Sequence, residues 1–160
     1  MKLAEQISWI VFSYKIASDT STLRVRAWRI LKRIGALSIQ NSVCIVPKTS
    51  LTVRKLNQLK ELVEDAGGQT TWLDVSIVSS EQTEWLVEQF NQERAEEYME
   101  VAEMCNGFTA DTSVLESEAR IALIEKSLRK IAARDYFECP ERKLAESALS
   151  NVKGRFKNGH

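Results

Sequence analysis

A chain of 160 residues with 44% hydrophobic and 28% charged residues, six glycines and two prolines fits a globular domain with a helical appendage, and excludes the fibrous and disordered classes. The formal net charge is zero, yet residues 1–79 hold eleven basic against six acidic side chains, residues 80–139 six against fourteen, and residues 140–160 five against two. A cationic front before an acidic middle predicts separate faces, the first suited to a polyanion; charge scattered over a solvated surface is the plainer expectation.

The apolar stretch from Ile7 to Phe12 is too short for a signal sequence or a membrane span, so a cytoplasmic protein is expected. Ile7 to Tyr14 is aromatic and β-branched and predicts a buried first strand. Ser18, Asp19, Thr20 and Ser21 are N-cap candidates for a first helix that carries Leu23, Ala27, Ile30, Leu31 and Ile34 on one face and stops at Gly35. Leu37, Ile39, Val43, Ile45 and Pro47 flank Gln40-Asn41-Ser42 and predict two short strands joined by a tight turn. Thr49 or Ser50 caps a second helix that runs to about Ala66, Gly67-Gly68 breaks it, and Thr70 to Val75 forms a last strand. The order β-α-β-β-α-β is that of a ferredoxin-like α+β domain, an antiparallel four-stranded sheet with two helices on one face.

From Ser80 onward the period is helical. A long Glu-rich helix carrying Trp85, Leu86, Phe90, Tyr98 and Val101 should stop near Gly107, and two more helices follow near 113–134 and 141–153, with Pro140 as the first helical residue of the last. The expected organisation is a ferredoxin-like domain over residues 1–79 and an all-α extension over 80–160, packed on that domain or on a second subunit.

Chemistry has few places to reside. Cys44, Cys105 and Cys139 are too far apart for a CxxC pair or zinc-ligand spacing and are expected to be reduced structural thiols. The one histidine is the terminal His160, which removes most histidine-based catalysis and metal binding. No phosphate-cradling glycine loop, HExxH or GxSxG is present, so neither a cofactor nor an enzyme is expected. Glu93, Glu97 and Glu100 share a helix face that could take a divalent cation, although such runs are ordinarily solvated. Arg24, Arg26, Arg29, Lys32 and Arg33 form the strongest constellation, five cations on the first helix with Trp28 among them. Arg26, Arg29 and Arg33 line one outward stripe able to neutralise successive phosphates; the competing expectation pairs them with glutamates of the long helix. Trp28 borders the apolar face and is expected in the core. Arg94 and Tyr98, one turn apart, form a possible second anion site, with an exposed Arg94–Glu97 pair as the plainer reading.

The run Arg26-Ala27-Trp28-Arg29-Ile30-Leu31-Lys32-Arg33-Ile34-Gly35-Ala36, followed by Gln40 to Pro47, resembles the N-terminal domain of the bacterial chromate-resistance regulators. Phe90-Asn91-Gln92-Glu93-Arg94-Ala95-Glu96-Glu97-Tyr98 and Ala133-Arg134-Asp135-Tyr136-Phe137 are similar to later stretches of the same region. The resemblance implies a transcriptional regulator that binds the operator of its own operon and releases it when chromate is present. Longer members of that family carry a further C-terminal domain, and any sensing residues there have no counterpart among these 160. A looser similarity reaches the phenylacetate-degradation repressors and the small CRISPR-associated nucleases. Those nucleases hold a metal-binding Asp near the end of strand one, where this chain reads Ser13-Tyr14-Lys15-Ile16, with Asp19 beyond it.

Three functions compete. The preferred one is a homodimeric DNA-binding regulator, paired through the long helix, with Arg24, Arg26, Arg29, Lys32 and Arg33 on DNA. The second is an oxyanion or metal sensor without DNA contact, in which those arginines and the first helix's N-terminus hold chromate. A metal-dependent nuclease relying on Asp19 ranks last.

Overall fold

The computed structural model of the chain describes residues 7–17, 21–76, 78–109 and 111–157. Nine elements follow in order: β1 (Trp9–Lys15), α1 (Ser21–Arg33), β2 (Leu37–Gln40), β3 (Val43–Pro47), α2 (Ser50–Asp65), β4 (Gln69–Val75), α3 (Ser80–Cys105), α4 (Val114–Ala133) and α5 (Arg142–Lys157). Of the expected caps of α1, Ser18, Asp19 and Thr20 lie outside the described residues. The chain divides into two compact units, Met1–Gln89 and Phe90–His160. The division between these units lies inside α3, whose first turns bury Thr83 and Leu86.

In the first unit the four strands form one antiparallel sheet in the order β2-β3-β1-β4. Side chains alternate across the pleat, so Ile10 and Phe12 of β1 share a face with their partners Val46 and Cys44 of β3. Against that face pack Ala27 of α1, Ile34 just beyond it, and Leu56, Leu59 and Val63 of α2. Trp72 of β4 closes one side, its ring edge-on to Phe12 at 6.1 Å between centroids. Each buried leucine or phenylalanine is worth roughly 1.5–3 kcal/mol of desolvation, and this layer holds both helices to the sheet.

Local chemistry sets the boundaries. Thr49 is the N-cap of α2: its hydroxyl accepts from the Thr52 amide while the Thr52 hydroxyl accepts from the Thr49 amide, and Thr52 also donates to the Pro47 carbonyl at 2.6 Å. Gly67 leaves α2 at φ +82°. At Gly68 a Cβ would lie 2.6 Å from the Lys15 carbonyl oxygen and 2.9 Å from that of Val63, so only glycine lets the chain pass there.

In the second unit Tyr98, Val101 and Cys105 of α3 pack with Ile124 and Ile131 of α4 and Ala145, Leu149 and Val152 of α5. Ser113 caps α4 by accepting from the Glu116 amide. Pro140 does not open α5. It sits two residues earlier in a turn, where its carbonyl accepts from the Lys143 amide, and α5 runs four residues further than expected.

Candidate nucleic-acid interface

The α1 helix advances about 100° per residue, so its core side and its solvent side follow from the burial of successive residues. Ala27 is buried and Leu23, Ile30 and Leu31 are half-buried, whereas Arg24, Arg26, Arg29, Lys32 and Arg33 are all exposed. Arg26, Arg29 and Arg33 occupy one flank of the solvent side and Arg24 the other, with Lys32 between. No Asp or Glu of the described residues forms an ion pair with any of these five. Pairing with the glutamates of the long helix, the competing expectation, is thus not found among the described residues.

The expectation for Trp28 needs correcting. It is 56% exposed rather than in the core, because one step round from Ala27 carries its ring past the edge of the apolar face. Lys32, one turn on, places its Nζ 4.7 Å from the centre of that ring, a cation–π contact. Val25 is also exposed, at 47%. The outward face therefore combines five cations with an aromatic ring and a small apolar side chain; at about 100° from Ala27 the indole stands on the border of the apolar face, where the helical period by itself does not choose between core and solvent. Beside the start of α1, the Tyr14 amide donates to the carbonyl of Ser42, which holds the β2–β3 turn at φ 62°. Burial pushes the Tyr14 phenol up, the neighbouring Cys44 adds to this, and a hydrogen bond with Ser42 and the Arg24 guanidinium pull it back.

The proposed second anion site is also corrected. Arg94 is 3% exposed and Tyr98 fully buried, so no open pair stands there. The Arg94 guanidinium lies 3.0 Å from Glu97 Oε2 and 3.4 Å from Glu93, and Glu97 also accepts from Arg134 Nε at 3.1 Å. Arg94 also donates to the Arg134 carbonyl at 3.4 Å. The Tyr98 hydroxyl donates to Asp135 Oδ2 at 2.7 Å, and Asp135 Oδ1 accepts from the Cys139 amide at 3.0 Å. Phe90 meets the rings of Tyr136 and Phe137 edge-on. The two similar stretches, Phe90–Tyr98 and Ala133–Phe137, thus form a clamp between α3 and the segment after α4. These pairs hold structure: the Arg94 guanidinium is enclosed by carboxylates, its Nε lying 3.0 Å from Glu97 Oε2 in an ion pair without hydrogen-bond geometry, and no open cationic surface is presented to an incoming anion.

Glu97 is committed to two arginines, so Glu93, Glu97 and Glu100 are not a cation cradle; no cluster of three His, Cys, Asp or Glu suited to a metal occurs among the described residues. The three cysteines are free and buried. Burial pushes the Cys44 thiol up to about 12, and burial with Glu141 takes Cys139 to about 11, which keeps both protonated and unreactive.

The geometry defines a small mixed α/β unit with an open cationic, aromatic-bearing helix, joined in sequence to a helical unit closed by Arg–Glu and Tyr–Asp pairs. The sequence profile of the family described as protein ChrB, N-terminal, matches residues 24–159, from α1 to the end of α5, and the chain belongs to that family. It is accordingly a chromate-resistance-related protein. No curated protein and no solved structure matches the chain. No helix among the described residues is long and apolar enough to cross a membrane.

Proposed function

We propose that this chain is a non-catalytic, DNA-binding regulatory domain of the cytoplasm that responds to chromate, with a ferredoxin-like first unit presenting α1 to the duplex of its own operator. The β-α-β-β-α-β order and the sheet order β2-β3-β1-β4 support the ferredoxin-like reading. The observation that carries the functional reading is the open face of α1: five cations without a carboxylate partner among the described residues, around an exposed tryptophan. Guanidinium groups spaced along a helix neutralise successive phosphates and release counterions, and an exposed ring adds contact area with a base or sugar at no charge cost.

The test is fluorescence anisotropy with the DNA upstream of the protein's own gene, over a range of salt concentrations, with and without chromate. Replacing Arg26, Arg29 and Arg33 by Ala should flatten the salt dependence by about 0.9 for each lost phosphate contact. Trp28→Ala should weaken binding and leave that slope unchanged, since the ring carries no charge. Chromate should release the DNA. Unchanged affinity and slope in the triple variant would remove α1 from the mechanism, and calorimetric binding of chromate but not sulfate, with no retention of DNA, would replace the regulator by an oxyanion sensor.

A further inference from the structure

In the second unit, α4 buries one side and leaves the opposite side without a cover. Ser117, Ile124 and Ile131 are buried and Ile121 and Leu128 half-buried, all on one side. On the other side Leu115 is 79% and Leu123 64% exposed, and Ala119, Ala122, Lys126 and Lys130 are exposed with them. At about 100° per residue these six fall within an arc of roughly 100°, the width of a packing face. Solvent-facing positions of a helix are ordinarily polar, so two leucines over two alanines on this arc call for a partner.

The charges choose it. Along the face, the acidic residues Glu116 and Glu118 stand in the first half of α4, and Lys126, Arg129 and Lys130 in the second. Two copies side by side in the same direction would set the three cations against their own images. Turned head to tail about a two-fold axis between Ala122 and Leu123, residues of one flank meet the same flank of the partner in reverse order. Glu116 then meets Lys130 of the other copy, and Glu118 meets Arg129, each pair twice by symmetry. The small Ala119 and Ala122 let the helix axes approach, and Leu123 of each copy lies over Ala122 of the other. None of Glu116, Glu118, Lys126 and Lys130 has an ion pair within the described residues; Arg129 faces Glu125, which is itself paired with Lys153.

We infer that the exposed face of α4 is a self-association surface, on which a second copy of this chain docks as an antiparallel helix pair. It does not depend on DNA binding. A single helix pair about 30 Å long buries less than the ~800 Å² per partner of a standard interface, so the dimer is weak and concentration-dependent. The surface also differs from the long helix that the sequence pattern offered for pairing.

Sedimentation of the full chain over a wide concentration range tests this. The apparent mass should rise from one chain to two, and Leu123→Glu should hold it at one, with circular dichroism unchanged because the side chain is exposed. Glu118→Lys or Arg129→Glu alone should each weaken the dimer about tenfold, through two like-charge contacts apiece, and Glu118→Lys with Arg129→Glu should restore it to near the starting affinity. A monomer at every concentration would overturn the inference. So would a dimer indifferent to Leu123→Glu, which would place the contact elsewhere, or a double reversal no tighter than the single ones.

Discussion

Replacing Tyr98 by Phe removes one oxygen from the clamp between α3 and the segment after α4 and leaves every carbon in place. The hydroxyl is buried and donates to a carboxylate at 2.7 Å, and its phenol is held above the ordinary tyrosine range by burial and by Asp135. A hydrogen bond to a charged group is worth about 1.5–3 kcal/mol. Asp135 is only half-buried and keeps its second bond, from the Cys139 amide, so the lower part of that range applies, about 1.5–2 kcal/mol. Asp135→Ala should cost more, about 3 kcal/mol, because it strands both the buried hydroxyl and that amide. Urea unfolding followed by far-ultraviolet circular dichroism, with a slope of about 2 kcal/mol per molar, should show the midpoint of Tyr98→Phe lowered by about 0.75–1 M. The double variant should lose less than the sum of the single ones, since both remove the same bond. A Tyr98→Phe protein within about 0.5 kcal/mol of the parent would show that the clamp does not support the fold as argued.

The remaining predictions concern the backbone and pH. Gly68→Ala should lower stability by about 3 kcal/mol or more, since two of the three atoms its Cβ would strike are carbonyl oxygens, whereas Gly67→Ala meets open space and costs only the strain of its left-handed backbone, about 1–2 kcal/mol; equal losses in thermal unfolding would contradict the close approach. Alkaline pH should destabilise the protein. Cys44, Cys139 and Tyr136 all bind their protons more tightly when folded, at about 12, 11 and 12, so the stability this gives is complete below the thiols' unfolded value near 8.5 and declines as pH rises toward 11. Each such group adds about 1.4 kcal/mol per pH unit to the slope once its unfolded form has ionised. Thiolate absorbance from the folded protein at mildly alkaline pH would refute the burial assigned to Cys44 and Cys139.

Periodicity alone made most of the elements legible. The aromatic and β-branched run of β1, the Thr49 cap, the Gly67-Gly68 break and the stop of α3 before Gly107 are local signals, encoded within a few residues of where they act. The cationic face of α1 was equally readable, because five basic residues within ten positions cannot all turn inward. What stayed hidden depended on contacts between segments far apart in the chain. Arg94 looks like a surface arginine until Glu97 and the Arg134 carbonyl, the latter forty residues away, enclose it. Tyr98 finds its partner thirty-seven residues on.

By itself, then, the sequence determined the order of strands and helices, the positive helix after the first strand, and the membership in the ChrB N-terminal family. Only the tertiary structure decided that Trp28 faces solvent, that Arg94 and Tyr98 close a structural clamp, and that Leu115 and Leu123 remain bare on α4. The physical reason is that a residue's neighbours along the chain set its backbone conformation, whereas its burial and its partners are set by whichever distant segment packs against it.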